Sequence, residues 1–254
     1  MNWLKIISFV SLGLLVVPIA LLLYEGFGPL LSPGGYSSAV FQSIELTLLS
    51  SAIAALACAI LFTPLAYYFA RNKNPIGETF SDIPASIPHP IIGIALLILA
   101  SPFTPFGRFL MSIGIYLFDT FLGLVVALAL VSAPFYIRAI QPYFESMNVA
   151  HENFALGLGA SRLRTFASVV LPNSGRGILS ATLISMSRAM AEFGSIAIIA
   201  FYILQPGPFY GVSPASVFIF NAYTSTGLGV AITASALMIV LSIAVMVPIR
   251  FIRR

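Results

Sequence analysis

The chain has 254 residues, of which 59% are hydrophobic and only 8% charged, about a third of the charged fraction of an average soluble domain, so a water-soluble globule is excluded. At roughly 20 apolar residues per crossing of a ~30 Å hydrocarbon core, the length supplies several membrane spans and no large soluble domain beside them. The net charge of +4 would suggest nucleic acid in a soluble protein, but here it has a topological explanation and no nucleic-acid partner is expected.

Six apolar runs follow in chain order, near 6–23, 47–70, 90–102, 117–137, 177–204 and 227–249. They make residues 1–254 a single all-α, polytopic membrane domain with six transmembrane helices. The first run follows Lys5 and is read as a retained helix, because no small-x-small cleavage pattern comes after Ala20. The second carries the lone cysteine, Cys58, which has no partner for a disulfide or a thiolate metal site and is expected to fill core space. The third is short. It opens from the proline-rich stretch 83–90, whose missing amide donors and restricted preceding residues break or delay a helix. His89 in that stretch is a candidate gate or path residue, with a satisfied histidine beside a broken helix start as the alternative. Aromatic residues near the span ends, among them Tyr24, Phe27, Tyr67, Tyr68, Tyr202 and Tyr210, read as interface anchors.

Numbered alternately, the loops place Lys5, Arg71, Lys73, Arg138, Arg162, Arg164, Arg176, Arg250, Arg253 and Arg254 on one side, ten of the twelve basic residues. Arg108 lies in an opposite loop, Arg188 lies inside a span, and segments 24–46 and 205–226 contain no Lys or Arg. Basic loops stay in the cytoplasm, so both termini are expected there, with an even number of spans.

Between the fourth and fifth runs lies a long amphipathic loop on the basic side, about 146–172. Asn148 can cap a short helix, Gly159 can end it in a left-handed conformation, and Ser161 can cap a second helix running to Leu171 and Pro172. Val149, Phe154 and Leu158 are expected to face the membrane helices, while small Ala155 leaves room for another surface. The pattern of Glu152, Ala155, Gly159 and Ala160, followed by an aromatic-aliphatic segment and Leu171-Pro172, resembles the "EAA" loop of ABC importer permeases. Asn153 stands where that motif has alanine. The resemblance implies the type I importer permease architecture, and it implies that the first helix of the loop seats in a groove on an ATPase subunit. Glu152, Ala155, Gly159 and Ala160 would then be the coupling residues.

In the fifth run, Ser185, Arg188, Glu192 and Ser195 are spaced to share one face of a continuous helix. An ionisable residue inside a span costs roughly 2.5–3.5 kcal/mol on insertion scales and faces the bundle interior, a partner or a watery path. Arg188 and Glu192 can pair at i and i+4, either as a structural ion pair or as part of the path or gate. Arg188 with Ser185 could supply donors to an oxyanion. The stretch 188–194 is similar to the fifth-helix signature of permeases for tetrahedral oxyanions, molybdate and tungstate first and sulfate close behind. Stretches 87–96 and 208–212 point the same way.

No phosphate-binding G-x-x-x-x-G-K-[ST] loop is present, and His151-Glu152 lacks a second histidine at 155 for a zinc-protease motif. A transport subunit rather than an enzyme is expected, with no metal and no cofactor on this chain. ATP and Mg would be bound by a partner ATPase. Six helices line half a path more readily than a whole one. The resemblance therefore implies a second copy of the chain, two nucleotide-binding ATPase subunits and an external substrate-binding protein, in a prokaryotic cell membrane with lipid around it. The alternatives are a sulfate, thiosulfate or other anion permease, and an ATP-independent channel or secondary transporter.

Overall fold

The computed structural model describes residues 2–28 and 37–252. Arg253, Arg254 and residues 29–36 of the predicted 24–46 loop lie outside the described residues.

Four helices are long and apolar enough to cross a bilayer: α1 (Asn2–Phe27), α2 (Ser38–Arg71), α6 (Phe121–Ser146) and α13 (Leu228–Ile252). Between α2 and α6 run α3 (Pro75–Ser86), α4 (His89–Leu99) and α5 (Pro105–Ser112). After α6 come α7 (Ala150–Gly157), α8 (Arg162–Thr165), a π-helical turn (Phe166–Val170) and α9 (Leu171–Asn173). Next are α10 (Gly175–Met190), α11 (Ile196–Ile199), α12 (Ala215–Asn221) and a second π-helical turn (Ala222–Thr226). With α4 at the predicted third span and α10 prolonged by α11 at the fifth, the helix count approximately matches a six-span architecture. No strand occurs among the described residues.

Two breaks interrupt the helices. α3 and α4 flank the proline-rich stretch and meet at 102°, only α4 lying in the predicted third span. Ile87 is extended (φ −99°, ψ 153°), as the residue before a proline must be, and Pro88 precedes the first turn of α4. The fifth is interrupted after Met190, so that residues 191–195 are not helical before α11. At 1.5 Å per residue, α10 is only about 24 Å long, short of the ~30 Å core by itself.

The packed centre is built by α2, α6 and α10. Among lipid tails there is little hydrophobic gain from burying one more leucine, so close packing of small residues does the work. On α2 the fully enclosed Ser50, Ser51, Ala54, Ala55 and Cys58 let the helices approach, which agrees with the expected core role of Cys58. Leu124, Leu128, Val131, Tyr136 and Ile140 of α6 fill the other side. Two buried hydroxyls bond between helices: Thr63 meets the Tyr136 hydroxyl at 2.5 Å, and Thr47 accepts from the amide of Ala215 at the start of α12. α1 lies against α13 and exposes its apolar surface all round, as a helix facing lipid does.

Candidate functional site

The loop after α6 forms the two short helices that its residues predict. Asn148 Oδ1 accepts from the Ala150 amide (2.9 Å), and Ser161 Oγ accepts from the Arg164 amide (3.3 Å) at the start of α8. Gly159 turns the chain between them at φ +86°, a left-handed conformation that costs other residues about 1–2 kcal/mol. The faces of α7 differ from expectation. Val149, Phe154 and Leu158 do not face the membrane helices; Phe154 is 73% and Leu158 89% exposed. Glu152 is instead the buried residue of α7, with Ala155 and Ala160 half-buried and Gly159 exposed.

Glu152 is buried because it has partners at the end of α2. The Arg71 guanidinium donates from Nη2 to Oε1 (2.6 Å) and from Nε to both carboxylate oxygens (3.2 and 3.3 Å). The Tyr67 hydroxyl donates to Oε2 (2.6 Å), and Arg71 Nη1 donates to the Phe144 carbonyl of α6 (2.7 Å). Burial alone raises the Glu152 pKa, but the bonds from Arg71 and Tyr67 and the adjacent positive charge outweigh it and hold the carboxyl below its usual range. Arg71 and Tyr67 were legible only as a topological charge and an interface anchor. Their spacing of four on one helix, at a basic span end, is the signal that could have paired them with an acidic loop residue.

The second cluster lies deep in the span. Arg188, near the end of α10, sits over the ring of Phe135 (5.2 Å), close to the midpoint of α6. Its Nη2 is 3.3 Å from Glu192 Oε2 and 2.9 Å from both ring nitrogens of His89, whose Nδ1 is 2.8 Å from the same carboxylate oxygen. The imidazole thus bridges the two, within hydrogen-bonding distance of the guanidinium and ion-pair distance of the carboxylate. Glu192 is 1% exposed; its Oε1 accepts from the amide and hydroxyl of Ser195 (2.9 and 3.0 Å). The two span breaks therefore meet here, His89 at the start of α4 and Glu192 between α10 and α11.

The shared helical face predicted for the four polar residues does not exist as such, because the helix ends at Met190. Arg188, Glu192 and Ser195 still converge through the break, joined by His89. Ser185 does not join them; it is fully buried beside Cys58. Gly93, one turn into α4, permits the approach that brings the breaks together. A Cβ there would stand 2.6 Å from the Ser195 carbonyl oxygen and 2.9 Å from Ile198 Cβ.

Residues 63–254 match the family described as "Binding-protein-dependent transport system inner membrane component". The chain is 31% identical over 215 residues to a molybdate/tungstate transport system permease protein of Thermococcus kodakarensis, covering 84% of this chain and 78% of that one. It is also 31% identical over 164 residues to a sulfate transport system permease protein of Salmonella typhimurium, covering 63% and 59% respectively. In fold it resembles a chain from the crystal structure of a bacterial ABC transporter involved in alginate import, with a TM-score of 0.68 at 19% identity over 100% of this chain and 95% of that one. The chain belongs to the family of binding-protein-dependent transport system inner membrane components, the permease subunits of ABC transporters.

Proposed function

We propose that this chain is the membrane path of an ATP-driven importer for a tetrahedral oxyanion, molybdate or tungstate, working by alternating access as one of two identical copies. The observation that carries the choice of an anion is Arg188, a cation held near mid-span by His89 and Glu192 whose side chain keeps 20% of its surface exposed. An arginine can offer paired donors to a tetrahedral anion, and its cost in lipid argues for a use. Arg188, Glu192 and His89 are accordingly proposed as path or gate residues, and Ser185 as a packing residue behind them.

ATP and Mg are assigned to a separate ATPase subunit that receives α7 on its exposed face of Phe154 and Leu158. Ala155, Gly159 and Ala160 shape that docking loop, and Glu152 anchors it from behind. An external binding protein delivers the anion; the alginate ABC transporter of similar fold was crystallised in complex with a periplasmic protein bound to alginate pentasaccharide. Both termini are assigned to the cytoplasm on the charge asymmetry.

Similarity to molybdate/tungstate permeases over 84% of the chain supports that anion, and equal identity to a sulfate permease over a shorter stretch makes sulfate the second reading. Uptake of tungstate, molybdate and sulfate into proteoliposomes holding the full complex decides between them. ATP-dependent uptake of tungstate and molybdate, with a raised KM in Arg188→Met, is expected. Uptake of sulfate alone would overturn the anion, and equal flux without ATP would overturn the importer.

A further inference from the structure

We infer that Arg71 is a positioning residue that couples the ATPase-facing loop to the second and fourth spans, so that movement of α7 reaches α2 and α6 through one guanidinium. The inference rests on the reading of residues 146–172 as the coupling loop. It adds a route that the loop's own second helix does not provide.

Little else holds α7. It lies beside the π-helical turn, Phe166–Val170, yet Glu152 is its sole buried residue. Its larger apolar side chains, Phe154 and Leu156, point outward. A helix seated by packing pushes on every surface it touches. A helix seated by a single buried carboxylate pushes through that carboxylate.

The carboxylate is gripped at both oxygens. Arg71 reaches Oε1 from Nη2 and both oxygens from Nε, while Tyr67, one turn earlier on α2, donates to Oε2. The third nitrogen of the same guanidinium, Nη1, donates to the Phe144 carbonyl, two residues before the end of α6. The planar fork thus fastens three elements at fixed angles, which resists lateral sliding as well as separation. Tyr67 is itself braced, edge-on to Phe144 at 5.7 Å and against Phe166 of the π-helical turn at 5.0 Å. Lysine could supply the charge but not the fork.

Proteoliposomes holding the whole complex, with this chain, its ATPase subunit and binding protein, test the inference through the number of ATP molecules hydrolysed per tungstate imported. Arg71→Met is expected to raise that ratio roughly tenfold, the scale of losing charge-assisted hydrogen bonds, and to lower the maximal uptake rate while leaving KM for tungstate as it was. Arg71→Lys should fall between, and the exchanged pair Arg71→Glu with Glu152→Arg should recover part of the coupling. If Arg71→Met fails to insert, Tyr67→Phe keeps the test open with a smaller rise expected. An unchanged ratio in the inserted variants, including one in which hydrolysis and uptake fall together, would overturn the inference, because a merely structural brace predicts that result. Failure of any ATPase subunit to co-purify with the unaltered chain would remove the importer reading itself, and the inference with it.

Discussion

Glu192 is the most completely enclosed acidic side chain among the described residues, and its neighbours explain why it is tolerated. A buried carboxylate is costly unless charges or donors surround it, and here Oε1 accepts from Ser195 while Oε2 lies within ion-pair distance of Arg188 and His89. Removing one member of such a pair leaves the other uncompensated. Glu192→Ala is therefore expected to destabilise the chain by about 3–5 kcal/mol, read as a lowered thermal midpoint of the detergent-solubilised complex. An Arg188→Met, Glu192→Gln double variant should recover much of that loss, since no unpaired charge then remains. A single variant that melts with the unaltered protein would mean that the carboxylate contributes nothing to the fold. The pairing of Arg188 with Glu192 was legible from their spacing, but the third partner was not, because His89 lies 99 residues away in the chain.

At the scale of elements, helix breaks and short helices carry the functional geometry. Proline chemistry in 83–90 announced the first break, whereas nothing as overt as a proline marks the end of α10 at Met190. That end is completed by long-range contacts: Ser216 Oγ donates to the Glu192 carbonyl (2.6 Å), and α4 packs on α11 at the bare Gly93. The coupling loop was clearer, because caps and a left-handed glycine are local devices. Gly159→Val should strain that turn by at least about 1–2 kcal/mol and tilt α7 relative to α8. Uptake per ATP hydrolysed should then drop in proteoliposomes although the protein still inserts. Undiminished uptake with normal coupling would show that the angle between the two helices is immaterial. The inward direction of Glu152 was not legible, since an amphipathic pattern over eight residues fits more than one rotation of the helix.

For the whole molecule, the proposed docking role of α7 gives each copy one ATPase contact. The proposed unit is two copies related by a twofold axis, which would bring two loops to an ATPase pair. Native mass spectrometry of the complex should find two copies of this 27.2 kDa chain for every two ATPase subunits. One copy bound to a different permease chain would refute the symmetric arrangement.

The sequence by itself determined the membrane class, the all-helical fold, the charge asymmetry of the loops and the two short helices after α6. Each depends on run length, composition or spacing of a few residues, properties that exist along one dimension. Only the tertiary structure decided that Glu152 is clasped by Arg71, 81 residues away, and that two broken spans meet around Arg188. Those pairings depend on which helix faces lie together. In a chain apolar nearly all round, the hydrophobic pattern does not specify those faces; close approach at small residues and the need to satisfy buried polar groups do.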